Sequence, residues 1–423
     1  MKNKLILTIL FSSAFVVSCV QFSMKQTEHI EYFNNGSIKS RLEPLTTSPN
    51  LFMYYEYYKS GEIYFKAPIA NSRWEGVVEY YYKNGKIKER LTYSNNYPNG
   101  ECIKYYEDGN THKIFYQKDG YTIGDYSIFH SNGWLKEKGT ILQPKINPGD
   151  IQKIEFTMYY ENGNTKYTAQ KWGDDIADEA RKYWPEGKLE SVYNYLNGKA
   201  LGEYSLYHKD GWLSESGNIT YTNSGLEQFD YKLLDKSGVI THDGRTVDGN
   251  KDGEIRQYWP NGKVRFINHY EYGLRLMNFK EFNRKGLLIR EGLCLDPECV
   301  SGLFGKEYDQ KGRLKSKYQV LDGMIQGWYD IYQSGNLVAS VYYVDDVKDG
   351  RYKEYYPNGN IKESGSRIDG MLEGKLIRYY ENGQIKMKAK FKRNKMNGYR
   401  QSYSKYGEEL QTVYYENGIM TPY

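Results

Sequence analysis

The stretch RYKEYYPNGNIKESG, residues 351–365, decides the fold because its centre returns almost unchanged further along the chain. The letters YYPNG at 355–359 come back as YYENG at 379–383. Glycines at the equivalent position recur throughout the sequence, and ten of their fifteen intervals are 24 residues. A fixed period of this length is typical of an array of small supersecondary units. These turn glycines are Gly36, Gly61, Gly85, Gly109, Gly133, Gly163, Gly187, Gly211, Gly238, Gly262, Gly286, Gly312, Gly335, Gly359, Gly383 and Gly407.

Each repeat has the pattern of a β-hairpin. The dipeptide Asn382-Gly383 favours a two-residue type I′ turn, in which both central residues have positive φ. A second glycine, nine residues before many of the turn glycines, is expected where one hairpin joins the next. The strand after the turn alternates, so we expect one apolar and one polar face. Its apolar positions are Ile385, Met387, Ala389 and Phe391, and its polar positions are Gln384, Lys386, Lys388 and Lys390.

The paired tyrosines fit such an array. Neighbouring strand residues point to opposite faces, so Tyr379 and Tyr380 cannot enter the same core. We expect one tyrosine of each pair in a ladder between repeats and the other on the outer face, with its hydroxyl in water. A lone hairpin is marginal in water, whereas a stack buries a shared stripe. The predicted fold class is therefore all-β: an elongated array of about sixteen 24-residue hairpins forming a twisted antiparallel sheet.

Composition and motifs argue against catalysis. The chain has 46 Tyr and 42 Gly with a mean hydropathy of −0.80, too polar for a large apolar core and too aromatic for disorder. It lacks the common metalloprotease, hydrolase and dinucleotide-binding motifs. His130 and His208 stand three residues before turn glycines, where Tyr is common. We therefore expect no enzyme activity, no cofactor and no metal site, and the formal charge of +5 gives no case for nucleic acid.

The first nineteen residues have the pattern of an export signal. Lys2 and Lys4 precede an uncharged stretch of 13 residues, which is too short to span a bilayer and typical of a signal peptide. The four residues VVSC that end at Cys19 resemble a bacterial lipobox, which would make Cys19 the lipidated N-terminus of the mature protein. An ordinary secretory signal with an incidental cysteine is the alternative.

This signal sets the predicted organisation of the chain. Residues 1–18 are the predicted signal peptide, 19–30 a tether and 31–423 the repeat array. By resemblance to Gram-negative lipoprotein sorting, Val20 and Gln21 after the cysteine disfavour the inner membrane. The predicted location is therefore the outer membrane or the surface of a bacterial cell.

The repeat resembles the MORN repeat, and more closely its bacterial variant, through the pattern YYxNGxIK and a downstream GxxxxYY. The resemblance runs from about Tyr32 to Gly418. It implies an array of β-hairpins and says little about function. Several relatives of this type are labelled antitoxin-like and many are lipoproteins of unassigned role. Eukaryotic MORN repeats have been linked to membrane lipids and to scaffolding.

Three segments break the period. Residues 140–153 carry two prolines and predict a loop insertion. Residues 174–184 predict a short helical insertion, capped by Asp174 or Asp175, with Ile176, Ala180 and Tyr183 on one side. The third break is residues 293–299. Inserted loops either bind partners or are tolerated surface variation, and the sequence leaves both open.

Two cysteines lie in the third break. Cys294 and Cys299 are candidates for a local disulfide in an exported protein. Free thiols are an alternative, and a metal site would need two further ligands that are not near in sequence. Cys102 has no obvious partner and is expected to be a small buried residue.

These features favour a non-catalytic, lipid-anchored protein-binding scaffold of the cell envelope. The candidate partner surface comprises Tyr355, Tyr379, Trp172 and Trp184, because exposed aromatic side chains are common anchors of protein interfaces. The expected partner is a protein of the cell envelope. The alternatives are an antitoxin-like or immunity role against a toxin, and binding of envelope glycan or lipid by the repeats.

Overall fold

The computed structural model describes residues 28–45, 50–294 and 302–421, and every regular element in these residues is a β-strand. The all-β fold class and the array of β-hairpin repeats are therefore confirmed. The strands are β1 (His29–Tyr32), β2 (Ile38–Pro44), β3 (Leu51–Tyr57), β4 (Ile63–Ala70), β5 (Arg73–Trp74), β6 (Gly76–Tyr81), β7 (Ile87–Ser94), β8 (Tyr97–Tyr105), β9 (Thr111–Lys118), β10 (Tyr121–Phe129), β11 (Leu135–Gln143), β12 (Lys153–Tyr159), β13 (Thr165–Trp172), β14 (Asp175–Tyr183), β15 (Leu189–Leu196), β16 (Lys199–Tyr207), β17 (Leu213–Tyr221), β18 (Glu227–Leu234), β19 (Ile240–Val247), β20 (Asn250–Tyr258), β21 (Val264–Glu271), β22 (Leu274–Phe282), β23 (Leu288–Cys294), β24 (Gly302–Tyr308), β25 (Leu314–Leu321), β26 (Met324–Ile325), β27 (Gly327–Gln333), β28 (Asn336–Val344), β29 (Val347–Tyr355), β30 (Ile361–Ile368), β31 (Met371–Leu372), β32 (Gly374–Tyr379), β33 (Ile385–Lys392), β34 (Lys395–Met396), β35 (Gly398–Tyr403), β36 (Glu409–Glu416) and β37 (Ile419–Thr421).

The strands fall into two compact units. The first unit is Met1–Gly202 with Tyr207–Gly211, and the second is Glu203–Leu206 with Trp212–Tyr423. In the first unit, successive strands pair antiparallel from β1 to β15. In the second they do so from β17 to β37. Each unit is thus built from consecutive hairpins.

The turn at Asn382-Gly383 differs from the expected type I′ turn. Only Gly383 has a positive φ, of 84°, whereas Asn382 does not. Tyr380 N–H donates to the carbonyl of Gln384 at 2.7 Å, and Gly383 N–H donates to the carbonyl of Tyr380 at 2.9 Å. This is a three-residue loop in which a type I turn is followed by a left-handed glycine. The prediction of the turn type was therefore wrong at this place.

The type I′ turns lie instead between the repeats. Arg393 and Asn394 both have positive φ, of 46° and 68°, and link β33 to β34. The second glycine of the repeat, Gly398, has a φ of 123° and lies in a bulge four residues after this turn. The expected place of the junction was therefore wrong as well. The left-handed position favours Asn, which tolerates it, and the bulge favours Gly.

A ladder of side chains connects successive hairpins, as expected from the paired tyrosines. The second tyrosine of the pair, Tyr356, donates its hydroxyl hydrogen to the carbonyl of Tyr379 at 2.8 Å. Asn358 Nδ2 donates to the carbonyl of Glu381 at 2.9 Å. The ladder hydroxyls are therefore bonded to the next repeat rather than to water. The aromatic donors to a carbonyl 23 residues on are Tyr58, Tyr82, Tyr106, Tyr160, Trp184, Trp259, Tyr356 and Tyr380.

The core lies on one side of the strands. In the first unit it includes Phe65, Val78 and Phe115, and in the second Leu376, Met387 and Ala389. The alternation expected after Gly383 is confirmed, because Met387 and Ala389 are buried while Lys386 and Lys390 are exposed. The polar faces of the strands therefore remain open to solvent.

In some hairpins, a tyrosine paired with a glycine occupies the core-facing positions of neighbouring strands. Tyr352 lies opposite Gly365, where an added Cβ would come within 2.9 Å of the tyrosine ring. The hydroxyl of Tyr352 donates to Glu363 at 2.6 Å. Burial and this hydrogen bond raise the pKa of Tyr352 above its ordinary value. The glycine thus makes room for a large ring, and the glutamate satisfies its hydroxyl.

The helical insertion expected at 174–184 was wrong, because these residues form strand β14 (Asp175–Tyr183). A turn at Gly173, with a φ of 67°, returns the chain after Trp172, which pairs with Asp175. Asp178 has a φ of 58° and occupies the position of the second glycine, nine residues before Gly187. Ala177 and Ala180 are buried. The segment is therefore an ordinary repeat strand in which Asp replaces Gly at the bulge.

Of the third predicted break, residues 293–299, the structure describes only Leu293 and Cys294, which end β23, and the rest lies outside the described residues. The insertion at 140–153 begins as the end of β11 (Leu135–Gln143) and continues as a loop, in which the backbone N–H of Asn147 donates to Asp150 at 2.7 Å. The 23-residue interval before Gly335 arises from a shorter turn, because Gln333 pairs with Asn336 across only two residues. The predicted signal peptide and Cys19 lie outside the described residues.

Candidate functional site

The second unit has a continuous face on the side opposite its core, which we call the outer face. Cross-strand partners share a face of a sheet. On the side opposite Leu376, the strand register joins such partners across seven strands. We define the outer face by these cross-strand partners. They are Asp330, Ser340, Lys353, Ser364, Ile377, Lys388 and Gln401.

Large apolar side chains are exposed on the outer face, and we call them the apolar row. Leu293 and Phe304 are cross-strand partners, each 47% exposed. Trp328 and Tyr342 are also partners, 44% and 37% exposed, with ring centroids 5.4 Å apart in an edge-to-face arrangement. Exposed apolar groups that recur on one face of neighbouring strands are typical of interaction surfaces.

Beside the apolar row lies a group of lysines on β32 and β33, which we call the basic hairpin. Lys375 and Lys390 are cross-strand partners and both are exposed. Arg351 and Lys353 add two cations on the outer face of β29. None of these side chains has a carboxylate within ion-pair distance among the described residues. The lysines of the basic hairpin are Lys375, Lys386, Lys388, Lys390 and Lys392.

Two arginines elsewhere on the same unit are paired with carboxylates. Arg245 Nε lies 2.7 Å from Asp230 Oδ1, and this hydrogen bond raises the pKa of Arg245. Arg256 Nη2 lies 2.5 Å from Glu254 Oε2. These pairs line an open cleft of about 800 Å³, whose lining residues all come from the segment 203–256. The cleft lining carries five carboxylates and three cations, so the cleft is acidic, unlike the basic hairpin.

The predicted surface residues occupy different environments. Tyr355 and Tyr379 are half-buried at strand ends where the register shifts, and the carbonyl of Tyr379 accepts the ladder bond from Tyr356. In the first unit, Trp184 belongs to the ladder, with its Nε1 3.3 Å from the carbonyl of Tyr207. Trp172 is 41% exposed, with the Lys153 ammonium 4.2 Å from its ring centroid. Of the four residues, Trp172 is the most open to a partner.

Sequence reasoning missed the apolar row and the basic hairpin. Their signal was present at one repeat position, eight residues before the turn glycine, where Phe304, Arg351 and Lys375 stand. The shorter turn at Gly335 displaces Trp328 from this position by one residue. A near-neutral net charge concealed the local excess of lysine.

The cysteines divide between described and undescribed positions. Cys294 is buried at the end of β23 and takes part in a disulfide. Cys299 lies outside the described residues, so its pairing with Cys294 stays a prediction. Cys102 is a free, fully buried thiol, as expected, and burial raises its pKa to about 11.

No group of three or more His, Cys, Asp and Glu side chains in residues 28–45, 50–294 and 302–421 is arranged to hold a metal ion. Nor does this part of the chain contain a helix long and apolar enough to span a membrane. The chemistry that the outer face does offer is contact through aromatic rings and unpaired cations.

Comparison with solved structures finds large bacterial toxin assemblies. A mutant Tc holotoxin pore of Photorhabdus luminescens is 9% identical, with a TM-score of 0.17, and the match covers 93% of this chain and 28% of that one. The TcdB2–TccC3 complex is 11% identical, with a TM-score of 0.15 and coverage of 92% and 26%. The chain thus spans less than a third of the length of these proteins.

The family comparison is more specific. No curated protein matches the chain significantly. The model of the MORN repeat variant matches residues 74–95, 251–272, 348–369 and 372–393. Each segment spans the two strands of one hairpin and the turn between them, as 372–393 does with β32 and β33. The chain therefore contains MORN repeats of the variant type at these four places.

Proposed function

We propose that the protein is a non-catalytic scaffold of the bacterial cell envelope, anchored through a lipidated Cys19, that binds another protein on its outer face. The lipobox-like residues before Cys19 support the anchor. The observation that carries the binding role is the exposed apolar row beside unpaired cations on one sheet face. Exposed aromatic side chains are enriched in protein interfaces, and cations beside them can attract an oppositely charged partner.

The repeat architecture supports this role physically. Each hairpin is tied to its neighbour by backbone pairing and by ladder bonds such as that of Tyr356. Side chains on the outer face are therefore held on a braced surface, which lowers the entropy that binding must overcome. Trp328 and Tyr342 already contact each other, so their rings lose little freedom on association.

Capture from the cell envelope tests the binding role. The full-length protein, carrying an affinity tag at its C-terminus, is purified from detergent-solubilised envelopes, and co-purifying proteins are quantified by mass spectrometry. We expect one protein to be enriched over a control in which Trp328→Ser and Tyr342→Ser remove the aromatic pair. Equal recovery with both baits, or no enriched protein, contradicts the proposal.

The anchor is tested separately. Mass spectrometry of the N-terminal peptide is expected to show a lipid-modified Cys19, and Cys19→Ala is expected to move the protein out of the membrane fraction. An unmodified cysteine would leave an ordinary exported protein. Toxin neutralisation and binding of glycan or lipid stay alternative predictions, because no contact of the described residues favours either.

A further inference from the structure

The outer face also indicates the chemistry of its partner, an inference that rests on the proposed function. We infer that the partner presents an acidic protein surface with apolar side chains at its centre. The apolar row would receive the apolar side chains, and the basic hairpin would face the carboxylates. Charge complementarity and the continuity of the two groups across neighbouring strands support this inference.

The two groups are continuous because the register places them on one face. Tyr342 lies two residues after Ser340, whose cross-strand partner is Lys353. From Lys353 the outer face continues through Ser364 and Ile377 to Lys388. A partner lying across these strands would therefore meet aromatic rings first and lysines next.

The ammonium groups of Lys386 and Lys388 lie 5.5 Å and 5.1 Å from the ring centroids of Tyr380 and Tyr403, but no lysine of the basic hairpin has a carboxylate partner among the described residues. Lys375 and Lys390 lie opposite each other, and like charges in this position destabilise a sheet. On the same unit, Arg245 and Arg256 each contact a carboxylate. Asp330, the acidic member of the row that defines the outer face, is already engaged by Ser340 Oγ at 2.5 Å. The uncompensated charge of the basic hairpin is thus available to an acidic partner.

The apolar row favours a protein over other polyanions. Phe304, Trp328 and Tyr342 expose 47%, 44% and 37% of their surface. The hydroxyl of Tyr342 and the indole nitrogen of Trp328 leave most of each ring apolar. Phe304 and Leu293 have no polar group at all, so their burial needs an apolar counterpart. A carboxylate-rich protein surface with a Leu or Phe centre supplies both requirements.

Fluorescence anisotropy with synthetic peptides tests this chemistry on the full-length protein in detergent. The probe is a labelled peptide of Glu with Leu and Phe, compared with peptides in which Lys replaces every Glu or Ser replaces every apolar residue. We expect the first peptide to bind about tenfold tighter than either comparator, and its binding to weaken as salt rises. Equal binding of the Lys peptide overturns the inference.

Matched variants locate the binding. The triple variant K375E/K390E/K392E reverses three exposed lysines and is expected to weaken binding of the acidic peptide about tenfold. The control K236E/K285E/K311E reverses three exposed turn lysines of the same unit and is expected to bind as the unchanged protein does. Equal losses in both variants would show that only net charge matters and would overturn the assignment to the basic hairpin.

The apolar contribution has its own test. Phe304→Ser with Trp328→Ser is expected to abolish the preference for the Leu and Phe peptide over its Ser comparator, with an unchanged thermal unfolding profile as the folding check. A preserved preference overturns the role of the apolar row. Envelope capture of a partner with a basic contact surface would likewise refute the inferred chemistry and leave the proposed scaffold intact. Failure of the capture itself would count against the scaffold.

Discussion

Two kinds of turn in the second unit begin with different residues and are held in different ways. At the turns that begin with Tyr356 and Tyr380, the side chain reaches forward to a carbonyl 23 residues on. At the turns that begin with Asn283 and Asp309, the side chain bonds to its own turn instead. Asp309 Oδ1 accepts the N–H groups of Lys311 and Arg313, at 2.8 Å and 3.0 Å.

The difference between the two kinds of turn bears on the interval between successive turn glycines. The interval from Gly359 to Gly383 is 24 residues, whereas those after Gly286 and Gly312 are 26 and 23. An aromatic donor must find a carbonyl one repeat away, so it constrains the length of the hairpin between. An Asx turn is satisfied locally and leaves that length free. Gly238 follows an Asx turn at Asp235 and still keeps an interval of 24, so local satisfaction permits drift without requiring it.

Replacing the aromatic residue of a ladder turn by an Asx residue is expected to have the largest effect on local stability. Tyr356→Asp removes a half-buried ring and leaves the carbonyl of Tyr379 without its donor. We expect a loss of about 2 kcal/mol in the local stability of the hairpin β32–β33. Native-state hydrogen exchange of the amides in this hairpin measures the loss. Unchanged exchange would show that the ladder does not couple neighbouring hairpins.

Removing only the hydroxyl separates the hydrogen bond from the ring. Tyr356→Phe is expected to cost about 1 kcal/mol, because the ring stays while the bond to Tyr379 is lost. The same exchange measurement applies. Tyr406→Phe is the matched control, since Tyr406 is 78% exposed in its turn and no loss is expected there. Equal effects at the two positions would contradict a specific role of the Tyr356 hydroxyl.

Removing the Asx acceptor is expected to have a smaller and more local effect. Asp309→Ala deprives Lys311 and Arg313 of their acceptor within one exposed turn. We expect faster amide exchange in residues 309–313 only, with β27 and β28 unaffected. Loss of protection in those strands would mean that the Asx turn also couples repeats, and the distinction between the two kinds of turn would fail.

Acid is expected to affect the Asx turn alone. Hydrogen bonds from Arg313 hold the pKa of Asp309 below its ordinary value of 3.8. A lowered pKa means that the contribution of Asp309 is present above pH 3.8 and is lost as the pH falls through the lower value of the folded state. Amide exchange between pH 5 and pH 2, corrected for intrinsic rates, is expected to show opening at 309–313 before 356–360. The reverse order would contradict the account.

Much of the fold could be predicted from the sequence because the same hairpin pattern recurs many times along the chain. The period, the hairpin unit, the alternation after Gly383 and a ladder formed by one tyrosine of a pair are confirmed, and the structure shows that it is the second tyrosine. Asn382 misled the prediction of the turn type because Asn-Gly also fits a type I turn with a left-handed glycine. Its side chain instead donates to the carbonyl of Lys405 at 3.0 Å, a contact that depends on the next repeat.

The segment 174–184 misled the prediction for another reason. Its Ala and charged residues favour a helix by local propensity, and pairing with β13 and β15 overrides that preference. Asp178, at the place of the second glycine, was the missed sign of an ordinary repeat. The candidate site was harder still, because the apolar row and the basic hairpin emerge only when residues from separate repeats are aligned on one face.

Cross-linking in intact cells tests the proposed anchored scaffold most directly. The full-length protein serves as bait, Cys19→Ala as the unanchored control, and cross-linked peptides are identified by mass spectrometry. The account predicts one dominant protein partner that is lost without the anchor, with cross-links from the outer face at residues 302–392. Recovery of lipid or polysaccharide alone, or of the same proteins with and without the anchor, would contradict it.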